Sequence, residues 1–566
     1  MTGLDWTILI GTLLGIALYG LYKTRGASDI GEYFRGGNEL RWPTVGLSIM
    51  ATQASAITFI STPGQAYEDG LRFVQFYFGL PLAMIVISAV FVPIYFKLKV
   101  YTAYEYLEHR FDVRLRYLGA LLFLIQRGLA AGITIYAPSI IMSTLMGWSL
   151  QATNLGMGAL VIVYTVLGGT KAVAQTQKQQ MVVMLLGMVL AVVLVVLRLP
   201  DHVSVGHAFK LAGALGKMNA VSFEVDPSTR YTFWSGITGG FFLALSYFGT
   251  DQSQVQRYLS GRSVAESRLG LVLNGMLKVP MQLVILMSGV MVFVFYLFTQ
   301  PPIFFNGPAL EKARSTEHAS EFDLLEARYE AAFNHQRDAA DAYVAALDAG
   351  SEAIGEKARL QAAASQVAEV RNEVKTLVKT AVPSAETKDS DYVFLTFVLG
   401  YVPHGLIGLL IAVIFCAAMS STSSELAALG STTTLDLYRR IRKQTPAAGE
   451  RDVLISKLFT ALWGVVAVAF AGFASLLDNM IEAVNILGSI FYGTVLGIFL
   501  VAFFVRHVQA TAVLIAALGA QASVIALFFT TDIGFLWFNV IGSAVVVLLS
   551  LVVQLFVRAQ ATSGSA

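Results

Sequence analysis

Long apolar runs recur along this chain and restrict its fold more than any other feature of the sequence. Each run approaches the roughly twenty residues that an α-helix needs to cross hydrocarbon. The 566 residues are 56% hydrophobic and 13% charged, whereas about a quarter of the residues of a soluble domain are charged. We therefore predict an all-α polytopic membrane protein with about thirteen transmembrane helices. The predicted spans are 6–22, 43–66, 73–97, 118–146, 151–167, 179–199, 232–258, 269–299, 404–435, 453–476, 481–505, 509–530 and 534–557.

The basic residues of the loops predict the orientation of these spans. Lysines and arginines concentrate at 97–116, 257–268 and 439–443, and cytoplasmic loops carry an excess of such residues. The first run has basic residues only after it, so we read it as a retained span rather than a signal peptide. We expect a cell (inner or plasma) membrane protein with its N-terminus outside and its C-terminus in the cytoplasm. We expect membrane lipid to surround the predicted spans. The net charge of +2 does not indicate a nucleic-acid partner.

One stretch, FCAAMSSTSSELAALGSTTTLDLY at 415–438, is crowded with hydroxyl groups at the end of an apolar run. Helical spacing places Ala417, Ser420 and Ser424 on one face, with Ser421 beside them. Hydroxyls of this kind are typical of close helix packing in membranes. The alternative is a Na⁺ site, because uncharged oxygens replace the hydration shell of a hard ion. The spacing leaves both interpretations open.

Two spans carry signs of interruption. The span at 43–66 has many small polar residues and ends near Pro63 and Gly64. In the span at 232–258, Gly249 is a candidate break, and Thr250 or Asp251 is a candidate cap for a second half-helix. The second is the fifth span after the first, as inverted five-helix repeats would predict. Interrupted helices at matching repeat positions indicate a midplane binding site in secondary transporters.

A charged, alanine-rich segment at 308–388 interrupts the apolar pattern, and the topology places it outside. Apolar residues recur in it at spacings of three and four, which predicts a helical hairpin with a heptad seam. The hairpin either closes on itself or contacts a partner or another copy of the chain. The seam residues are Leu360, Ala363, Val367, Val370, Val374 and Leu377, with a weaker seam at Phe322, Leu325, Tyr329 and Ala332.

The predicted organisation has five parts. They are an N-terminal extra span with an inner linker (1–39), the first core repeat and the start of the second (40–300), an extracellular or periplasmic hairpin insertion (301–390), the rest of the second repeat (391–505) and C-terminal extra spans (506–566).

Four stretches resemble the sodium:solute symporter family, the relatives of the sodium–glucose, sodium–proline and sodium–sialic acid cotransporters. They are the hydroxyl-rich stretch, GTDQSQVQRYLS at 249–260, FVPIYFKLKVYTAYEYLEHRF at 91–111 and YTVLGGTKAVAQTQKQQ at 164–180. The resemblance covers roughly 40–300 and 395–505 and excludes the hairpin. It implies a LeuT-type fold of inverted repeats that works by alternating access.

The resemblance also implies where the coupling ion binds. In the family, sodium is held by carbonyls of the first core helix and by a carbonyl and two hydroxyls of the partner helix. The matching positions here are Ala51, Ala54, Ala417, Ser420 and Ser421.

Some members of the family hold a second sodium ion. That site uses two further serines, here Ser423 and Ser424, and an aspartate whose position is occupied here by Gln177, followed by Lys178. Because a neutral amide weakens a cation site, we expect at most a weak second site and one sodium ion per cycle.

The solute pocket implied by the resemblance lies between four core helices. Its matching positions are Thr58, Tyr77, Ser246, Tyr247, Phe248 and Glu482. For each aromatic residue, core packing is the alternative to a gate or a binding role. Sugar-transporting members place an acid and a tryptophan where this chain has Tyr77 and Phe78, which argues against a hexose.

Four further residues are ionisable and lie in or near predicted spans, where charges mark a pathway or an internal pair. Asp251 is read as a helix cap or a functional group. Lys278 is placed at a solvated cavity or paired with a carboxylate, and Glu425 is expected in an internal salt bridge or hydrogen bond. His404 is expected at the interface.

These features predict a secondary active transporter that couples inward Na⁺ movement to uptake of a small organic solute. The rival readings are a solute sensor of the same fold, a proton-coupled symporter and an ion channel. We do not expect an enzyme, because the chain contains no HExxH, P-loop or GxSxG motif. The sequence leaves the solute, the stoichiometry, the oligomeric state and the role of the hairpin open.

Overall fold

The computed structural model describes residues 1–23, 39–383, 385, 387–442, 450–473 and 480–563. It does not describe the side chains of residues 17, 20–23, 167–172, 450 and 558–563. Most of the predicted inner linker, at 24–38, therefore lies outside the described residues.

Helices make up almost all of the described chain. The α-helices are α1 (Gly3–Lys23), α2 (Trp42–Gln53), α3 (Ala56–Asp69), α4 (Leu80–Val86), α5 (Val92–Leu98), α6 (Ala103–Arg110), α7 (Val113–Met146), α8 (Leu150–Val196), α9 (Val205–Ala214), α10 (Gly240–Thr250), α11 (Gln252–Leu259), α12 (Val264–Phe298), α13 (Gly307–Arg314), α14 (Ala319–Asp348), α15 (Ile354–Ala381), α16 (Ser390–Tyr401), α17 (Leu406–Thr432), α18 (Arg439–Ile441), α19 (Glu450–Ala471), α20 (Met480–Phe504), α21 (Ala510–Thr530) and α22 (Leu536–Ser563). A 3₁₀-helix spans Gly70–Tyr77, and π-helical turns span Ile87–Phe91, Ser235–Gly239 and Thr433–Tyr438.

Within the described ranges, nine helical segments are long and apolar enough to cross a membrane, and two shorter apolar helices accompany them. The nine are Ala56–Leu98, Val113–Met146, Val173–Val196, Val264–Phe298, Leu406–Ile441, Arg451–Ala471, Met480–Phe504, Ala510–Thr530 and Leu536–Val557. The all-α membrane fold predicted from the apolar runs is confirmed.

The number and limits of the helices differ from the prediction in two places. The runs at 151–167 and 179–199 belong to one 47-residue helix, α8. The polar stretch between them is rich in Ala, Gln and Lys, which have high helix propensity and do not end a helix. Helix α16 was not predicted. It packs along α3, and a Cβ on Gly64 would lie 2.0 Å from the Ser390 carbonyl oxygen, so the small residue permits that contact.

Both predicted interruptions exist. The first falls at Ala54 and Ser55, where ψ angles of 85° and 173° end α2 and precede α3. Pro63 lies inside α3 and is not the break. The second falls at Asp251, whose carboxylate accepts a hydrogen bond from the Ser253 backbone N–H at 2.9 Å and caps α11.

The two broken helices and α17 lie at the centre of the bundle. Helices α2 and α3 pack against α12 and α17, and α10 packs against α20. The crossing of α2 and α12 is close, since a Cβ on Gly46 would lie 3.0 Å from the Gly270 carbonyl oxygen. The hydroxyl-rich face of α17 is thereby held against the break after α2.

Helices α14 and α15 lie side by side beyond the end of α12, joined by a turn in which Gly350 has a φ of 73°. Their predicted seam residues are buried, except Ala332, which is partly buried. Gln361 donates a hydrogen bond to the Ala214 carbonyl at 2.7 Å, and His202 lies 2.9 Å from Asp341. The pair of helices is thus attached to the segment around α9. We call this end of the molecule the insertion side.

Candidate functional site

The hydroxyl-rich helix and the first broken helix meet through the residues that the sequence singled out. The Ser420 hydroxyl donates a hydrogen bond to the Ala51 carbonyl at 2.9 Å, across 369 residues of chain. The Ser421 hydroxyl donates to the Ala417 carbonyl, also at 2.9 Å. Ala54 ends α2, so its own carbonyl lies outside the regular helical ladder. The structure therefore joins Ala51, Ala417, Ser420 and Ser421 at one place, and all five predicted sodium-site residues are buried.

The oxygens at this place are uncharged. They belong to backbone carbonyls and serine hydroxyls, and no group of three or more His, Cys, Asp or Glu that could hold a metal occurs among the described residues. Neutral oxygen ligands suit a hard monovalent cation better than a transition metal, which prefers imidazole or thiolate.

Beside this place, the amide of Gln177 occupies a second cluster of oxygens. Its Nε2 lies 2.6 Å from the Ser424 hydroxyl, 3.1 Å from the Thr52 hydroxyl and 3.1 Å from the Ser420 carbonyl. Its Oε1 accepts a hydrogen bond from the Ser48 hydroxyl at 2.5 Å. An amide nitrogen thus sits among the oxygens where the resemblance implies a second ion. Ser423, the other implied residue, donates to the Ser420 carbonyl at 3.1 Å.

A cavity of about 90 Å³ lies next to the oxygens of the candidate sodium site. Three of the predicted solute residues line it, namely Thr58, Tyr77 and Tyr247. Ser421 lines it as well, so the cavity and the candidate ion site share a wall. Its other walls include Gln53, Phe76, Arg127, Thr134, Glu425, Ile481, Asn485 and Tyr492.

The other three predicted solute residues lie elsewhere. Ser246 donates a hydrogen bond to the Tyr492 carbonyl at 2.8 Å, and Phe248 is fully buried behind Tyr247. Glu482 lines a separate cavity of about 420 Å³ on the insertion side. There it pairs with Arg230 at 2.8 Å.

Arg127 is a wall residue that the sequence reasoning missed. Its guanidinium Nε lies 3.1 Å from an Asp251 oxygen, and an N–H from another nitrogen donates to Glu425 at 3.0 Å. It also donates to the Tyr492 hydroxyl and lies 5.2 Å from the centre of the Tyr247 ring. The available signal was an arginine inside the apolar span 118–146, since a charge within a span marks a pathway or an internal pair.

The structure decides between several readings of the buried charges. The predicted internal salt bridge of Glu425 is confirmed by Arg127, and Asp251 is both a cap and a partner of Arg127. Lys278 is fully buried, and its Nζ has no hydrogen-bond partner among the described residues, so these residues do not supply the carboxylate that was one of its two predicted surroundings. It lies 5.7 Å from the centre of the Tyr77 ring. His404 lies 3.1 Å from Asp5.

Comparison with known protein families gives one match over most of the chain. The profile of the sodium:solute symporter family matches residues 33–322 and 370–519. Residues 323–369, within the predicted hairpin, fall outside the match.

Relatives of known activity match about half of this chain. The human sodium/iodide cotransporter is 34% identical over 299 residues, which are 52% of this chain and 45% of that protein. The human sodium-coupled monocarboxylate transporter 1 is 33% identical over 48% of this chain and 44% of that protein. The chain therefore spans about half the length of the curated relatives that it matches.

A solved structure resembles the whole chain. It is a Na⁺-coupled sialic acid symporter in a substrate-bound outward-open state, with a TM-score of 0.75 at 22% identity and 98% coverage of both chains. At this identity the likeness concerns the fold, and it agrees with the LeuT-type architecture implied by the resemblance.

Proposed function

Because this chain belongs to the sodium:solute symporter family, we propose that it is a secondary active transporter that couples Na⁺ entry to uptake of a small organic solute. The observation that carries the proposal is the hydrogen bond from Ser420 to the Ala51 carbonyl. It joins the hydroxyl-rich helix α17 to the last turn of α2, immediately before the helix break.

Sodium would use these same oxygens. The hydroxyls of Ser420 and Ser421 now donate to the carbonyls of Ala51 and Ala417. A hydroxyl retains lone pairs when it donates, and each carbonyl has two, so the four oxygens together with that of Ala54 can turn toward an ion. Bound Na⁺ would hold α17 against the broken helix, and its loss to the cytoplasm would release the contact.

We propose that one sodium ion moves per cycle. The amide nitrogen of Gln177 lies among the oxygens of Thr52, Ser420 and Ser424. The amide N–H groups form hydrogen bonds with the oxygens that would otherwise coordinate a cation. The amide is neutral and stays attached to the chain, so it carries no charge across the membrane. The second site is therefore filled by a fixed side chain.

The cavity favours a solute much smaller than a drug-sized ligand. Its volume is about 90 Å³, whereas pockets for drug-sized ligands are roughly 300–1,000 Å³. We propose a small organic anion of the monocarboxylate type, the class named for one of the relatives. Arg127 has five N–H groups, and its four hydrogen bonds to protein groups leave one for such a solute.

The wall shared with the ion site supplies the coupling. Arg127 is accompanied by two carboxylates, Asp251 and Glu425, so the cluster alone would repel an anion. Sodium beside Ser421, which lines the same cavity, would offset that repulsion through a medium of low dielectric constant. The solute would therefore bind tightly only after sodium.

Ion pairs close the route on both sides of the cavity. Glu482 pairs with Arg230 on the insertion side. At the opposite end, Arg116 contacts Asp436 at 2.7 Å and Glu108 at 2.8 Å. We propose that these groups separate alternately, with the insertion side facing outward and the N-terminus outside, as the basic loops predict.

The driving force depends on the charge of the solute. A tenfold sodium gradient contributes about 1.4 kcal/mol, and one charge crossing 100 mV contributes about 2.3 kcal/mol. A neutral solute could be concentrated roughly 500-fold by the two together. When a monovalent anion moves together with one Na⁺, the pair carries no net charge. Only the chemical gradient of sodium would then drive uptake, and the anion could be concentrated about tenfold at equilibrium.

The test is uptake of radiolabelled monocarboxylates by proteoliposomes under an inward NaCl gradient, with choline chloride as the control. We expect sodium-dependent uptake that a potassium diffusion potential does not change. Ser420→Ala should abolish it, whereas Ser431→Ala should not, because Ser431 donates within its own helix to Ala428 at 3.0 Å. Uptake driven equally by a proton gradient in choline would refute sodium coupling, and sodium-dependent binding without flux would indicate a sensor.

A further inference from the structure

A second large cavity lies away from the candidate ion and solute sites. It measures about 760 Å³ and sits on the insertion side, between the helices α14 and α15 and the end of α12. The insertion contributes Tyr329, Gln336, Lys357, Gln361, Ser365 and Arg371. Much of one wall thus comes from residues 323–369, which the family profile does not match.

The floor of this cavity is aromatic and contains an unsatisfied hydroxyl. Tyr67 packs edge-on against Phe293 and Tyr296, with ring centres 5.5 Å and 6.3 Å apart. The side chain of Tyr296 is 2% exposed, and its hydroxyl has no hydrogen-bond partner among the described residues. Buried polar groups in native proteins nearly always have a partner, so this hydroxyl can form a hydrogen bond with a group bound beside the ring.

The charges on the walls favour an anion. Lys217, Lys357 and Arg371 line the cavity with one carboxylate, Glu68. Arg371 is already paired with Asp389 at 2.7 Å, so Lys217 and Lys357 are the cations that an anion would meet. Glu68 lies 3.6 Å from Lys375, which stands just outside the lining. The Lys217 ammonium lies 4.6 Å from the centre of the Phe293 ring, so a cation stands directly over the aromatic floor.

The cavity is also connected to the route described above. Lys217 and Glu68 line both this cavity and the smaller one that contains Glu482. The Lys217 carbonyl accepts a hydrogen bond from the Leu71 N–H at 2.9 Å, in the first turn of the 3₁₀-helix that ends at Tyr77. Lys217 therefore links this cavity to the 3₁₀-helix that carries Tyr77, a wall residue of the inner cavity.

We infer that this cavity is an outer binding site for a small organic carboxylate with an aromatic or apolar body. The carboxylate would lie between Lys217 and Lys357, and the body would pack on the aromatic floor within reach of the Tyr296 hydroxyl. The inference does not depend on sodium coupling, because none of the five candidate sodium-site residues lines this cavity.

The test is equilibrium binding of radiolabelled phenylacetate to the purified 566-residue protein in choline chloride, without sodium. Phenylacetamide, which has the same body without the charge, is the competing control. We expect saturable binding of one phenylacetate per chain and no competition by the amide. Lys217→Gln and Lys357→Gln should each weaken binding about tenfold, because each removes a charge-assisted hydrogen bond to the carboxylate.

One further variant separates this site from general damage. Lys312→Gln removes an exposed charge of α13 outside the cavity and should leave binding unchanged. Tyr296→Phe keeps the packing and should weaken binding several-fold. Absence of saturable sodium-free binding, or equal affinity in wild type and in the two lysine variants, would overturn the inference.

An uptake measurement distinguishes a transported solute from an effector that binds without being transported. If proteoliposomes accumulate phenylacetate, the site binds a solute on its way inward, and if they do not, it binds an effector. Both results support the site. Failure of sodium-driven uptake together with intact binding in choline would refute the proposed function alone.

Discussion

Replacing Gln177 by aspartate should create a second sodium site. The amide of Gln177 lies within 3.1 Å of three oxygens, those of Thr52, Ser420 and Ser424, and it accepts a fourth hydrogen bond from Ser48. Aspartate is one methylene shorter and negatively charged. It would vacate the place of the amide nitrogen and supply the charge that a cation requires.

The size of the effect follows from these contacts. A hydrogen bond contributes about 1 kcal/mol net, so losing most of four should destabilise the protein by roughly 2–4 kcal/mol in choline chloride. A buried carboxylate without a counter-ion destabilises it further. Sodium at about a hundred times its dissociation constant should return about 2.7 kcal/mol, so the variant should depend on sodium for stability far more than the wild type.

The assays are thermal unfolding in NaCl against choline chloride, and equilibrium binding of ²²Na⁺. We expect one bound sodium ion per wild-type chain and two per Gln177→Asp chain. The matched control is Gln177→Asn, which has the length of aspartate without its charge and should bind one. Two ions in the wild type, or equal numbers in the Asp and Asn variants, would refute the assignment of Gln177 as the group that fills the second site.

Three further predictions concern charged groups. Arg127→Gln should lower the free energy of unfolding by about 3–5 kcal/mol, because it leaves two buried carboxylates without their cation. Arg127→Lys should recover part of this loss, and the stability of both variants is measured by unfolding in detergent. Although burial itself raises the pKa of Asp389, the charges of Arg371 and Lys375 hold that pKa below its ordinary value. This contribution to stability is therefore present above about pH 4 and is lost as the pH falls through the lowered pKa, and in Arg371→Gln a melting series from pH 3 to 6 should lose much of that dependence. The third prediction uses Asn485→Cys, which places a thiol on the wall of the solute cavity. Adding Glu482→Gln breaks the ion pair with Arg230 and should raise the rate at which a thiol reagent modifies that cysteine by up to about fivefold, since a partly exposed ion pair contributes about 0.2–1 kcal/mol.

Each of these has an internal check. The only native cysteine, Cys416, is buried, so the background of the thiol assay is low. Equal stability of Arg127→Gln and wild type would contradict the role of the buried cluster. An unchanged pH profile in the Arg371 variant would show that Asp389 owes its lowered pKa to other groups.

Much of the candidate site was predictable because it depends on local sequence. The hydroxyls of Ser420 and Ser421 follow from the helical spacing of the 415–438 stretch, and the Asp251 cap follows from the polar residues after Gly249. The assignment of Ala51 and Ala54 required the family resemblance, since nothing in the spacing of α2 distinguishes those carbonyls from their neighbours.

Other parts of the site depend on contacts between distant segments. Arg127 and Asp251 are 124 residues apart, and Thr52 and Ser424 are 372 apart. A one-dimensional pattern identifies a charge within a span but not the partner that neutralises it. Glu482 lies outside the solute cavity for a similar reason. It is in the first turn of α20, and the packing of that helix against other segments decides where this turn lies.

The sequence by itself determined that this chain is a bundle of membrane helices, since apolar length and composition leave few other folds, and it indicated which two of the helices break. Only the tertiary structure decided what meets at those breaks. It set Ser420 against Ala51, placed the Gln177 amide among the oxygens of the second cluster, and enclosed a cavity under the insertion. Helix formation is governed by neighbours along the chain, whereas a binding site is governed by the packing of helices hundreds of residues apart.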